Sequence, residues 1–384
     1  MSTRPILIVA GEPSGDWLAA RLVRALRERV HSLTFFGIGG GELRSEGCEC
    51  LQDIEGMAVM GLTDVLRRFP FFLRLMRRVL HTADERRPQA AILVDYPGFN
   101  LRLAPALSRR GIPIYFYVVP QVWAWHRSRA RILNRTGRRI LSLFPFEPPL
   151  LAELGVHAEY VGHPLADTLR ALRAHPPNPL PWPEGEPRLL ILPGSRPAEI
   201  ARHLPLMLET AARLEEAFPH LVCLVACPTA AEASTMANRV ATHHGARPSR
   251  LKVVGGQTRS ALLQATAAVV ASGTVTLEAA LARCPMVIGY RLSPLSYWAA
   301  KRVVDTPHIG LVNLIAGRRL CPELVQHQCQ AETLANALRP LLEESPERAA
   351  MVAGLEEVIR RMEGPNAAEQ AAGRILDDLC QLWR

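Results

Sequence analysis

What this 384-residue sequence lacks narrows the reading first. No apolar run reaches the roughly 18 residues that a membrane-spanning helix needs. The N-terminus leads straight into the strand-like run 5–10, without the architecture of a secretory signal, so a cytoplasmic location is expected. The eight cysteines make only two close pairs, Cys48/Cys50 and Cys223/Cys227. Neither has zinc-ribbon or redox spacing, and reduced thiols are expected. The twelve histidines form no HExxH or equivalent metal motif. Lysine is almost absent: Lys252 and Lys301 are the only two among 45 basic residues. The net charge of +9 is therefore carried by arginine, whose planar fork suits phosphate. An anionic membrane surface, a phosphorylated small molecule or nucleic acid would each answer that charge. The lack of any RRM, KH or helix-turn-helix signature argues against nucleic acid.

What is present is ordinary globular material, 48% hydrophobic and 21% charged, which excludes disorder and collagen-like chains. The length predicts two domains. Short apolar runs alternate with amphipathic segments: strands at 6–10, 33–38, 90–95, 114–119 and 139–144, then at 188–192, 221–226, 251–254, 268–271 and 286–290. Such alternation predicts α/β units with parallel sheets and ligand sites at the C-terminal ends of the strands. The proline-rich stretch 176–187 reads as the linker between them, since proline fixes φ and removes donors. The chain is expected to be helical from 331 onward.

Five stretches can carry chemistry. Gly11-Glu12-Pro13-Ser14-Gly15-Asp16 joins the first strand to the first helix; two glycines with a Ser/Asp cap suit a ligand at a helix N-terminus or simply make a tight turn. Asp95 closes an apolar strand, where a carboxylate can serve as general base or as a loop ion-pair partner. Trp123 and Trp125 could pack on sugar C–H faces or between domains. Gly194-Ser195-Arg196 ends the strand 188–192 and suits a diphosphate or simply makes a surface turn with a solvated arginine. In Ser272-Gly273-Thr274-Val275-Thr276-Leu277-Glu278 a buried strand stops and a helix begins. Glu278 lies one turn into it on the side of Thr274, placed to accept ribose hydroxyls or, in a plain capping arrangement, to make a surface ion pair. Residues 57–80 form a different feature: Met57, Val59, Met60, Leu62, Val65, Leu66, Phe69, Phe71 and Phe72 are interleaved with Arg67, Arg68, Arg74, Arg77 and Arg78. Both a core helix pair broken at Pro70 and an interfacial membrane segment fit this pattern.

Taken together the motifs resemble the lipid-A-disaccharide synthase family over nearly the whole chain. The resemblance rests on GEPSGD at 11–16, AVMGLTDVL at 58–66, VDYPGFN at 94–100, VWAW at 122–125 and FPFE at 144–147. It continues through VGHPLAD at 161–167, LPGSR at 192–196, SGTVTLE at 272–278, CPMVIGYR at 284–291 and LVNLIAGR at 311–318. Some relatives carry an acid where Gly98 stands, so here Asp95 is the only carboxylate of its motif.

The resemblance implies a GT-B architecture: two Rossmann-like domains facing across a cleft, with a C-terminal helical tail crossing back. The implied division is an acceptor and membrane-contact domain at 1–175, a UDP-sugar-binding domain at 176–345 and a tail at 346–384. The implied activity is that of an inverting hexosyltransferase. It would join UDP-2,3-diacylglucosamine to 2,3-diacylglucosamine 1-phosphate, giving the β-1,6-linked disaccharide 1-phosphate and UDP. Asp95 matches the family's base. Arg196, Glu278 and Asn313 match nucleotide-handling positions, with Gly194, Ser195, Gly273 and Thr274 beside them. Glu12 and Ser14 match the first-domain loop. No divalent metal and no other cofactor is implied, and a homodimer is left open. Acylated substrates favour the membrane reading of Val59, Met60, Leu62, Val65, Leu66, Phe69 and Phe72. The partner surface would be anionic phospholipid at the cytoplasmic face of the inner membrane.

Overall fold

The computed structural model describes residues 4–57, 62–120, 129–293, 297–298, 306–364 and 366–383, without the side chains of residues 56 and 62–67. It divides into two compact units, 1–164 with 364–384, and 165–363.

In the first unit the strands are β1 (Arg4–Ala10), β2 (Leu33–Gly39), β3 (Glu49–Asp53), β4 (Ala90–Val94), β5 (Ile114–Tyr117), β6 (Gly137–Ser142) and β7 (Glu159–Tyr160). They form one sheet in the order β3-β2-β1-β4-β5-β6-β7, with every pairing parallel. The central strands are covered on both faces and read as unbroken apolar runs, as in Ile6–Ala10 and Ala90–Val94, all buried. In the second unit β8 (Arg188–Leu192), β9 (Val222–Cys227), β10 (Leu251–Gly255), β11 (Ala267–Val270), β12 (Met286–Tyr290) and β13 (Glu323–Val325) make a parallel sheet in the order β10-β9-β8-β11-β12-β13. Both sheets are doubly wound. Each reverses its winding between its first and fourth strands, β1/β4 and β8/β11, which is where such folds bind ligands.

The ten expected strands are present with ends shifted by a residue or two. Three further strands escape sequence reading: β3, β7 and β13. They are short, polar edge strands that pair on one side only, so they lack the continuous apolar signal of buried ones.

Two expected boundaries are corrected. The proline-rich stretch lies inside the second unit and is not its border. Leu180 donates its N–H to Gln264 Oε1 at 3.0 Å, and Gln264 Nε2 returns a bond to the carbonyl of Asn178 at 3.2 Å. Trp182 is buried beneath Arg188. The chain passes between units at Pro164/Leu165 instead. The helical tail is likewise split. The helix Pro346–Met362 packs within the second unit, on the helices Val275–Leu281 and Leu311–Ala316, and only 364–384 belongs with the first.

There the helix Ala367–Leu382 lays Ala368, Ala371, Ala372, Ile375 and Leu379 on Leu18, Leu22 and Leu26 of the helix Pro13–Arg29. The spacing i, i+3, i+4, i+7 gives it one apolar face. Asp378 pins it to the sheet, accepting from Tyr115 Oη at 2.6 Å and from Arg138 Nε. Burial opposes its charge, but those two bonds prevail and hold its pKa below the usual carboxylate value.

Candidate active site

In the first unit Ala10 and Val94 are register partners on β1 and β4, so the chain leaves the sheet at Gly11 and Asp95 side by side. Asp95 and Tyr96 then adopt φ 45° and 50°, two successive non-glycine residues in the left-handed region. The helix Pro97–Ser108 starts at once, with proline at its first position, where the missing N–H costs nothing. Asp95 is half-buried. Burial, and behind it the negative charge of Glu12, pushes its pKa up to about 6, against the opposing effect of the Tyr96 N–H. A carboxylate of that pKa is ionised at neutral pH and is a stronger base than a solvated aspartate.

The GEPSGD loop differs from its expected geometry. Glu12, and neither Ser14 nor Asp16, stands at the cap of the helix Pro13–Arg29, with no side-chain capping bond. Glu12 and Ser14 are exposed. Asp16 is buried within the helix and accepts from the N–H groups of Gly40 at 2.7 Å, Glu42 at 3.0 Å and Leu43 at 3.3 Å. It fastens the turn after β2, a structural task. Proline at position 13 had already opened the helix, which leaves Asp16 one turn inside.

In the second unit Leu192 and Val270 are register partners. The turns beyond them, with those after β9 and β10, surround a cavity of about 690 Å³. Gly194, Ser195, Gly273, Thr274 and Glu278 line it together. Gly194 has φ 113°, and a Cβ there would lie 2.8 Å from Glu199 Oε2, so only glycine fits this wall. Glu278 accepts from Arg259 Nε at 3.1 Å. Ser272 donates to the carbonyl of Ile309 at 2.8 Å, and Leu311 N–H to Thr276 Oγ1 at 3.1 Å.

Two expected nucleotide residues stand elsewhere. Arg196 does not line the cavity; its side chain is 67% exposed and lies 3.7 Å from Glu199. Asn313 is a correction. It is fully buried, donating to the Cys321 carbonyl and to Glu323 Oε1, each at 2.8 Å, and accepting from Cys321 N–H at 2.8 Å. Its hydrogen-bonding capacity is spent on folding the loop onto β13.

Sequence reasoning missed Glu199, Gln257, Thr258 and Arg259, which line the same cavity. Gly255-Gly256 before them, at the end of an apolar strand, was the available signal. His203 was missed too. Its Nε2 accepts from Arg291 N–H at 3.0 Å, so Nδ1–H donates to the Pro193 carbonyl at 3.1 Å. It is fully buried, and burial lowers its pKa below the usual histidine value. As a neutral tie it joins the ends of β8 and β12.

The apolar-basic stretch is one helix, Leu62–Arg86, uninterrupted at Pro70. Proline removes a single rung, and its exposed position leaves the rest of the 25-residue helix intact. Leu75, Val79 and Ala83 form a buried face, and the Phe72 ring meets Phe99 at 6.4 Å. On the outside Phe69 is 44% and Leu73 39% exposed, one turn apart, with Arg68, Arg74, Arg77 and Arg78 exposed around them. Val59, Met60, Trp123 and Trp125 lie outside the described residues, as do the side chains of Leu62, Val65 and Leu66. Among the described residues no helix is long and apolar enough to cross a membrane.

Comparison with known proteins follows the same lines. A family model described as Lipid-A-disaccharide synthetase matches residues 6–374. Lipid-A-disaccharide synthases of Anaeromyxobacter dehalogenans and Myxococcus xanthus are each 41% identical to the chain, over 380 and 378 residues, covering 97% of both partners in each case. Among solved structures the calicheamicin glycosyltransferase CalG4 aligns over 100% of each chain with a TM-score of 0.64 at 15% identity, a likeness of fold.

Proposed function

The chain belongs to the lipid-A-disaccharide synthetase family, a family of glycosyltransferases, and we propose how its residues divide the reaction. The second-unit cavity holds the UDP of UDP-2,3-diacylglucosamine. The turns Gly194-Ser195 and Gly273-Thr274 meet the diphosphate, and Glu278, held by Arg259, accepts the ribose hydroxyls. Arg196, exposed and held only at 3.7 Å by Glu199, swings to the departing diphosphate, whose charge must be met as the glycosidic bond breaks. Backbone amides and arginine do this work in place of a divalent metal.

Asp95 takes the proton from the 6-hydroxyl of 2,3-diacylglucosamine 1-phosphate as that oxygen attacks the anomeric carbon and UDP leaves. The attack on the face opposite an α-linked UDP gives the β-1,6 linkage. The observation that carries this reading is the placement of Asp95 and of the cavity at the two winding reversals, each the ligand-binding end of its own sheet.

The helix Leu62–Arg86 rests on the cytoplasmic face of the inner membrane. Phe69 and Leu73 enter the acyl boundary and the exposed arginines pair with anionic headgroups. The attachment is peripheral and lets the acylated substrates reach the protein from the bilayer.

The deciding experiment supplies both acylated sugars and follows UDP release with mass spectrometry of the product. A disaccharide 1-phosphate in step with UDP is expected. Epimerisation of UDP-N-acetylglucosamine with no disaccharide would overturn the reading.

A further inference from the structure

We propose that Asn100 is a positioning residue for the transfer: its side-chain amide gathers the carbonyls at the end of β4 and so holds Asp95 in its left-handed conformation beside Glu12. The inference rests on the reading of Asp95 as the base.

Two consecutive left-handed non-glycine residues persist only where their surroundings over-determine them. The amide of Asp95 still belongs to the sheet, donating to the Tyr117 carbonyl at 3.2 Å. Immediately after it the backbone turns away. Pro97 has no N–H to give, and the helix amides of Phe99 and Asn100 both donate to Tyr96 O, at 3.2 and 3.0 Å. The carbonyls at the corner are met by one side chain. Asn100 Nδ2 lies 2.7 Å from Asp95 O and 3.2 Å from Val94 O, with Val9 O of the neighbouring strand at 3.5 Å.

The placement carries its own evidence of purpose. Asn100 is fully buried, and its Oδ1 has no hydrogen-bond partner. A buried amide with an idle acceptor is costly, so the position is held for the two donors. Leucine would fill the same space without that cost and would leave the corner carbonyls unmet. The reach of one asparagine, one turn into the helix, joins β1, β4 and the helix start into a rigid corner, and Asp95 sits on it.

The test is kinetic. Asn100→Ala should lower kcat at least tenfold with KM for both sugars within twofold, and Asn100→Ser, which keeps one donor, should fall between. Freed from its corner, the Asp95 carboxylate moves toward solvent and away from Glu12, the charged group that faces it. The acid limb of the kcat–pH profile should then shift to lower pH, which a plain loss of folded protein would not cause. In an Asp95→Asn background neither substitution should reduce the residual rate further. UDP binding measures the intact second unit throughout, and Asn100→Ser decides the matter if the alanine variant does not fold. Unchanged kcat in both variants, with Asp95→Asn inactive, would overturn the positioning role; so would an equal fold-loss in the Asp95→Asn background. Normal turnover by Asp95→Asn itself would instead remove the base assignment, and this inference with it.

Discussion

The ring of Tyr96 lies directly over Gly11: a Cβ built on that glycine would stand 2.3 Å from Tyr96 Cδ1 and 2.4 Å from Cγ. Real carbon atoms never approach so closely, so glycine at 11 is what lets the ring lie down after the left-handed turn. Gly11→Ala should therefore displace Tyr96 and, with it, Asp95. Turnover is expected to fall on the order of tenfold. The Tyr96→Ala background, where the methyl group has room, should recover much of that loss. Equal losses in both backgrounds, measured as kcat, would show that the ring contact does not matter.

Asp95 sets a conflict between stability and activity. Its folded pKa of about 6 stands above the ordinary carboxylate value, so its charge costs stability. That cost is absent below about pH 4 and complete once pH has risen through the folded value. Asp95→Asn should remove it, raising stability at pH 7 by roughly 1–3 kcal/mol after allowance for partial exposure, while turnover drops about a hundredfold or more. In the unmodified protein kcat should fall as pH drops through about 6, because the base must be ionised. A denaturation series and a pH–rate profile check both. A destabilised Asp95→Asn variant, or a flat profile between pH 5 and 8, would count against the assignment.

Nucleotide binding should separate Glu278 from Asn313. Glu278→Gln and Arg259→Ala, which alter the cavity wall, should each weaken UDP about tenfold by calorimetry, with little change in melting temperature. Asn313→Ala should do the reverse. It leaves the Cys321 N–H and carbonyl without their partner and costs about 2–3 kcal/mol of stability. UDP affinity comparable to the unmodified protein should remain in whatever stays folded. Strong loss of affinity at full stability in Asn313→Ala would return it to the nucleotide site.

The membrane reading is tested at the two exposed side chains. Phe69→Ser with Leu73→Ser should abolish sedimentation with vesicles containing anionic phospholipid. Each large apolar side chain is worth roughly 1.5–3 kcal/mol when buried in lipid, and each nearby arginine adds about 1 kcal/mol. Activity on short-chain, water-soluble sugars should survive. Vesicle binding equal to that of the unmodified protein would place the docking surface elsewhere.

Burial should also make the second unit sensitive to acid through His203. Its folded pKa is lowered, so its contribution is intact above the unfolded value near 6.5 and is lost as pH falls below it. Protonation would force Nε2 to give up the Arg291 N–H. Stability between pH 7 and 5 should decline less in His203→Gln than in the unmodified protein. Parallel declines would mean another group titrates.

The sequence by itself determined the class of fold and its buried strands, because a strand covered on both faces must be apolar along its covered length, as Ile6–Ala10, Ala90–Val94, Leu189–Leu192 and Met286–Ile288 are. It also marked candidates for the chemistry, since Asp95 and the Gly194-Ser195 and Gly273-Thr274 turns each follow such a strand. It could not show β3, β7 or β13, whose half-exposed edges need no apolar signal. It could not tell Asn313, closed on its own loop, from Glu278, open to a cavity. Nor could it show that Asp16 fastens a neighbouring turn or that Asn100 braces Asp95. Those assignments depend on which strands become neighbours. The order β2-β1-β4 brings residues 11, 40 and 95 to one corner, and no local pattern of residues encodes that distance.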